Sequence, residues 1–255
     1  MLKVDPIPAF NDNYIWLLSD GESACVVDPG DAAPVIERLE ALGLHLSDVL
    51  ITHHHFDHVG GLEALIERYK PQIYGPKNPA ISGLTEQVAA GDKVLVLGTE
   101  FEVLEVPGHT LDHIAYFAAT GEPLLFCGDT LFAGGCGRVF EGTPEMMHGS
   151  LQQLAGLPAA TAVYCAHEYT LANLAFAAAV EPENGDLRRR IAEAEATRAA
   201  DRPTVPSNIA LELATNPFLR CQEPELLSSL RRQERLSGQT GPEVFATVRS
   251  WKDNF

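Results

Sequence analysis

Positive charge is scarce in this chain. Its 255 residues carry 18 Lys and Arg against 35 Asp and Glu, a formal charge of −17. Nucleic acid and anionic membranes attract the opposite balance, so neither is an expected partner. No apolar run approaches the ~18–20 residues of a membrane span. The opening MLKVDPIPAFNDNYIW has no basic stretch leading into an apolar one, so no export signal is expected and the cytoplasm is the expected compartment. Cysteine is sparse too. Cys25, Cys127, Cys136, Cys165 and Cys221 are odd in number and form no CxxC pair, which argues against a disulfide framework or a zinc ribbon. They read as reduced thiols, mostly buried. Internal repeats and low-complexity tracts are lacking as well.

What is present is enough apolar material, 45% of residues, for a sizeable α/β core. Residues 14–19 and 23–28 read as strands joined by the hairpin signal Asp20-Gly21. Asp31 reads as the N-cap of a helix with Val35, Ile36, Leu39 and Leu42 on its apolar face. Residues 49–52 form a short buried strand, and Gly60-Gly61 opens a helix to Tyr69. Further strands are expected at 93–97, 101–106, 114–118, 124–127 and 161–165. Beyond about residue 170 the composition turns Ala- and Leu-rich. Helices are expected there at 171–180, 187–200, 209–214, 223–235 and 242–252, broken by Glu181-Pro182 and Asn216-Pro217. Two domains follow: a mixed one over 1–170 and a helical one over 171–255.

Histidine sets this sequence apart. Four of the nine fall in the run Thr52-His53-His54-His55-Phe56-Asp57-His58, directly after a buried strand. In extended chain, residues i and i+2 share a face, so His53 and His55 converge while His54 points away. Asp57 and His58 follow where the chain turns into the next helix. The spacing is not HExxH, so the site belongs to a strand-to-loop junction. His109 follows Val106-Pro107-Gly108, Asp129 follows Phe126-Cys127-Gly128, and His167 follows Tyr164-Cys165-Ala166. Strand ends on one sheet edge are where open α/β folds gather functional groups. His45 and His148 are expected to face solvent, and His54 and His113 are weaker candidates for supporting groups.

The run THHHFDHVGG, with PGHT at 107–110, CGDTLF at 127–132 and AHEYTLANL at 166–174, resembles the metallo-β-lactamase superfamily. Together with AFNDNYIW at 9–16, GGCGRVFEGT at 134–143 and RSWKDNF at 249–255, the chain resembles its hydroxyacylglutathione hydrolase (glyoxalase II) family over essentially its whole length. The resemblance implies an α+β fold, a four-layer αββα sandwich followed by a C-terminal α-helical domain that binds glutathione. It implies two divalent metal ions. His53, His55 and His109 would hold the first, Asp57, His58 and His167 the second, and Asp129 would bridge both. Nitrogen and oxygen donors suit Zn²⁺, Fe or Mn, with no thiolate to force zinc, and Zn²⁺ is the expected metal.

The implied reaction is hydrolysis of S-(2-hydroxyacyl)glutathione, typically S-D-lactoylglutathione, to glutathione and D-lactate by a metal-bridged hydroxide, the second step of methylglyoxal detoxification. Asp57 and Asp129 are its implied catalytic carboxylates. Arg138, Phe140, Tyr169, Arg249 and Lys252 are implied to contact glutathione. The family often has Tyr where Phe140 stands and Lys where Arg138 stands, so Phe140 lacks a hydroxyl contact typically worth about 0.5–1.5 kcal/mol, while Arg138 keeps the charge. The expected protein is a monomer acting on a small glutathione thioester. Rival readings are a glutathione persulfide dioxygenase with a single iron, another binuclear metallohydrolase of the superfamily, and a metal-binding module without turnover. A dioxygenase of that kind generally lacks the long helical C-terminal part, and a nuclease conflicts with the charge.

Overall fold

The computed structural model of the protein describes residues 2–119 and 121–255. The chain divides into two compact units, one built from residues up to Glu105 with Asp112–Gly128, the other from Val106–Leu111 with Asp129–Phe255.

In the first unit, β1 (Lys3–Ala9), β2 (Asn13–Ser19) and β3 (Ser23–Val27) are antiparallel neighbours. Parallel strands β4 (His45–Leu50), β5 (Gln72–Gly75) and β6 (Glu86–Gln87) extend that sheet from β3. The Asp20-Gly21 turn closes the β2–β3 hairpin as its sequence predicts. Asp20 Oδ1 accepts from the backbone N–H groups of Glu22 (2.9 Å) and Ser23 (2.8 Å). Helix α1 (Ala32–Leu42) is capped by Asp31, whose side chain accepts from Ala33 N–H, and it ends on left-handed Gly43 at φ 66°. Two short helices follow, α2 (Phe56–Val59) and α3 (Leu62–Tyr69).

A second, antiparallel run comprises β7 (Lys93–Val96), β8 (Thr99–Glu105), β9 (Ile114–Ala118) and β10 (Leu124–Gly128). Tyr116 of β9 ties the two sheets of this unit together. Its buried hydroxyl donates to Ile51 O at 2.9 Å and lies 3.2 Å from Tyr74 O. Leu17, Val26, Val49 and Ile51 form the buried interior of the first sheet. Prolines at 6 and 8 obscure β1 in the sequence, and both are tolerated because β1 is an edge strand.

The second unit opens with the β-ribbon β11 (Leu131–Phe132) and β12 (Gly135–Cys136), then α4 (Pro144–Ala155) and β13 (Ala162–Cys165). Helices α5 (Thr170–Val180) and α6 (Gly185–Ala199) follow. The short strand β14 (Ser207–Asn208) pairs with β13 and leads into α7 (Ile209–Thr215), α8 (Pro224–Arg232) and α9 (Gly241–Asp253). Phe218 stacks on Phe176 (6.0 Å) and meets Phe245 edge-on (5.7 Å) in the helical core. Fully buried Glu212 pairs with Arg190, and it accepts from Gly134 N–H (2.9 Å) and Asn216 Nδ2 (3.0 Å). That ion pair fixes the turn of the β11–β12 ribbon. Among the described residues no helix is long and apolar enough to cross a membrane.

Helix α4 has no counterpart among the sequence expectations, and His148, expected to face solvent, lies on its buried side at 6% exposure. Its ring meets Phe245 at 6.1 Å, and its Nε2 has no hydrogen-bond partner among the described residues. Burial pushes its pKa down. The unfolded chain therefore takes up this proton more readily, and stability is lost as pH falls below the ordinary His value of about 6.5. His148→Leu is expected to flatten the fall of Tm between about pH 6.5 and 5, measured by thermal melts of both proteins across that range.

Candidate metal centre

Residues 51–55 link β4 to α2, and His55 at their end has an extended backbone (φ −61°, ψ 145°). His53 lies against His55 (ring centroids 4.8 Å) and His58 (4.0 Å). His54 turns instead to Asp112, with Nδ1 2.9 Å from Oδ1. The alternation expected from the sequence accounts for that split.

A residue outside the expected set organises these imidazoles. Asp28, 4% exposed and at φ 54°, follows β3 and points its carboxylate beneath the loop. Its Oδ1 accepts Thr52 N–H (2.8 Å), and its Oδ2 accepts the Thr52 hydroxyl (2.7 Å) and His58 Nδ1–H (3.0 Å). Because the Thr52 hydrogen goes to Asp28, Thr52 Oγ1 is an acceptor for His53 Nδ1–H at 3.0 Å. One carboxylate thereby sets the tautomer of two histidines, leaving each Nε2 as a lone pair. His58 Nε2 faces Asp57 Oδ2 at 3.5 Å, and Asn13 Nδ2 donates to that same oxygen at 3.0 Å. His113 stacks on His53 (4.5 Å, 17° between planes). Gly128 must lack a side chain here: its φ is +46°, and a Cβ would fall 2.3 Å from Thr52 Oγ1.

The second unit carries its own donor group. His109 Nε2 lies 3.3 Å from Asp129 Oδ2, and His167 Nε2 lies 3.2 Å from Asp129 Oδ1. His109 Nδ1–H donates to the Arg138 carbonyl at 2.8 Å, so its Nε2 is again the lone pair. The 135–138 turn packs so tightly on this group that a Cβ at Gly137 would stand 1.9 Å from the Asp129 carbonyl oxygen. Tyr169 stacks on His167 (4.7 Å, 3°), and Phe132 meets the same imidazole edge-on at 5.7 Å.

A lone-pair nitrogen and a carboxylate oxygen 3.2–3.5 Å apart repel each other unless a proton or a cation lies between them. Two ligands on a tetrahedral Zn²⁺, with bonds of about 2.1 Å, stand roughly 3.4 Å apart. The observed separations fit that requirement. Divalent metal binding is therefore what these clusters are built for.

The five substrate candidates lie in the second unit, and they differ in access. Arg138 is exposed (58%), with its guanidinium 6.0 Å over the ring of Phe140, which is itself exposed and 5.3 Å from His109. Tyr169 also reaches solvent. Arg249 is enclosed, with Nη1 donating to Cys136 O (3.1 Å) and Nη2 to Asp253 Oδ1 (2.9 Å). Lys252 is half-buried and donates to Ala172 O at 3.1 Å; desolvation, then the nearby Arg249 charge, lowers its pKa.

Asp28, Thr52 and Asn13 escape sequence reasoning. Only the Asp28-Pro29-Gly30 turn at a strand end, like those before His109 and Asp129, hints at them. Removing an outer partner of a metal-binding histidine typically lowers metal affinity about 10–100-fold. Asp28→Ala is expected to do so by freeing two imidazoles at once, whereas His54→Ala changes metal affinity far less. Chelator competition on both variants tests this, and equal losses would contradict it.

The family model described as "Metallo-beta-lactamase superfamily" matches residues 9–167, and "Hydroxyacylglutathione hydrolase C-terminus" matches 168–255. Hydroxyacylglutathione hydrolase of Pseudomonas paraeruginosa is 56% identical over 258 residues, covering 100% of both chains. That of Chromohalobacter salexigens is 54% identical over 257 residues, again covering 100% of each. Among solved structures, ETHE1 from Myxococcus xanthus superposes with a TM-score of 0.66 at 27% identity, over 99% of this chain and 98% of that one. The BLEG-1 B3 metallo-beta-lactamase (TM-score 0.63, 22% identity, 86% of this chain and 99% of that one) shares the fold alone. The expected α+β architecture with a helical C-terminal part is borne out. The chain belongs to the metallo-β-lactamase superfamily and, within it, to the hydroxyacylglutathione hydrolase family.

Proposed function

We propose that this protein hydrolyses the thioester of S-(2-hydroxyacyl)glutathione, S-D-lactoylglutathione above all, to glutathione and the 2-hydroxy acid. The observation that carries this reading is the 56% identity to a hydroxyacylglutathione hydrolase along the full length of both chains. In this reading residues 1–170 are the catalytic part and 171–255 the glutathione-binding part of a cytoplasmic monomer. His53, His55 and His109 hold one divalent ion, Asp57, His58 and His167 a second, and Asp129 serves both. Zn²⁺ is the proposed metal, with Fe and Mn compatible with the same donors. Support comes from the two oxygens of Asp129, each turned to a different imidazole. When bound, the ions supply Lewis acidity that polarises the thioester carbonyl and makes water nucleophilic at neutral pH.

The chain's own residues prepare and select. Asp28 and Thr52 hold His53 and His58 with Nε2 unprotonated, and Asn13 holds Asp57 in line. Arg138 offers the accessible cation for a glutathione carboxylate, while Arg249 and Lys252 add positive potential behind it. Tyr169 and Phe140 present ring surface beside His167 and His109. Cys136 and Cys165 are unsuited as nucleophiles here, because burial pushes their thiols up to about 11 and about 12. The leaving thiol, with an ordinary pKa of about 8.5, departs without a dedicated general acid.

Thiol release from S-D-lactoylglutathione by the purified protein is the expected activity, abolished by chelation and restored by Zn²⁺. Asp129→Ala is expected to lose metal and activity together. Oxygen uptake with glutathione persulfide, without thioester hydrolysis, would instead favour the single-iron dioxygenase.

A further inference from the structure

We propose that Asp253 is a positioning residue for the metal centre. Through Arg138 and Arg249 it clamps the 135–138 turn to the last turn of α9, and that turn orients His109. The turn is held at three points. Cys136 O accepts Arg249 Nη1–H at 3.1 Å, Arg138 Nε forms an ion pair with Asp253 Oδ1 at 3.3 Å, and Arg138 O accepts His109 Nδ1–H at 2.8 Å. Arg249 and Asp253 stand one helical turn apart and pair at 2.9 Å through the same Oδ1 that receives Arg138. A single carboxylate oxygen thus joins two guanidiniums, one enclosed and one exposed.

Two features separate this from an ordinary surface ion pair. First, Asp253 ends α9, where the helix dipole disfavours an acidic side chain, so its service to the helix rests on the i,i+4 pair with Arg249. Second, Arg249 has little freedom. It is 8% exposed, with its guanidinium 5.0 Å over the Phe218 ring, and it depends on its carboxylate partner because a buried cation without one is costly. Any slack in the clamp reaches the donors directly. The turn carries the carbonyl that sets the His109 tautomer, and Gly137 lies against the backbone of Asp129. Arg138 is gripped by its Nε edge, which keeps the two Nη groups available for a substrate carboxylate. That last point rests on the glutathione reading above, whereas the effect on metal does not.

The experiment measures Zn²⁺ retention against a chromophoric chelator, without substrate, in the full chain and in Asp253→Ala, Asp253→Glu and Arg138→Ala. Asp253→Ala is expected to retain Zn²⁺ roughly tenfold less tightly, and Asp253→Glu to recover most of that loss. The buried Cys136 should become accessible to a small disulfide reagent in the Ala variant alone. Arg138→Ala alters an exposed side chain and leaves the Arg249–Asp253 pair in place. It is expected to keep the Tm of the metal-free protein while also loosening Zn²⁺, which a merely structural role would not produce. Parental Zn²⁺ retention in a folded Asp253→Ala overturns the proposal, and so does parental retention in Arg138→Ala if Asp253→Ala does not fold. Failure of the glutathione reading is told apart by the parent protein, which would then release no thiol from S-D-lactoylglutathione while the Zn²⁺ results still report on the clamp.

Discussion

Everything at the candidate centre depends on one constraint: an imidazole binds a cation through a nitrogen that carries no proton. In a dry, sheet-edge environment the other nitrogen must then have an acceptor, or a buried N–H is left without a partner. His53, His58 and His109 meet this requirement in different ways. A threonine hydroxyl serves the first, the Asp28 carboxylate the second, and a backbone carbonyl the third. Asp28 lies behind two of the three, and it occupies a left-handed backbone position that few non-glycine residues adopt. Strain at that residue is the kind of local cost that persists where surrounding structure over-determines it.

The charge distribution follows the same division of labour. A chain of net charge −17 repels anionic partners in general, yet the end of α9 and the 135–138 turn pair Arg138 and Arg249 with a single Asp253, and Lys252 on the same helix adds a third cation. Cationic groups set within an acidic protein favour a small carboxylate ligand over a polyanion. The burial that enforces this arrangement also silences the thiols. Cys136 sits beside a guanidinium that lowers its pKa, yet desolvation outweighs the guanidinium and the group stays protonated at neutral pH.

Legibility in the sequence tracks how local each signal is. The β2–β3 hairpin and the α1 N-cap are readable because Asp20-Gly21 and Asp31 act within a few residues of themselves. The helices after residue 170 are readable because proline and asparagine breaks separate them and alanine or leucine recurs through α5 to α8. Strand β1 is obscured by Pro6 and Pro8, and α4 by a Met-Met-His-Gly run without clear periodicity. At the site, the histidine spacing and the turns before His109 and Asp129 stand out as motifs. Asp28 does not, because its importance comes from bonds to residues 24 and 30 positions away. Burial of Arg249 is equally invisible from spacing, since its partners Cys136 and Phe218 are contributed by other elements.

The tautomers of His53, His58 and His109 in the metal-free protein provide the most direct test, read by long-range proton–nitrogen correlation of the imidazole rings at neutral pH. Protonated Nδ1 with unprotonated Nε2 at all three is the expected result, and it should collapse at His53 and His58, though not at His109, in Asp28→Ala. Protonated Nε2 at these positions in the parent protein would contradict the claim that the surrounding chain prepares its imidazoles for metal before metal arrives.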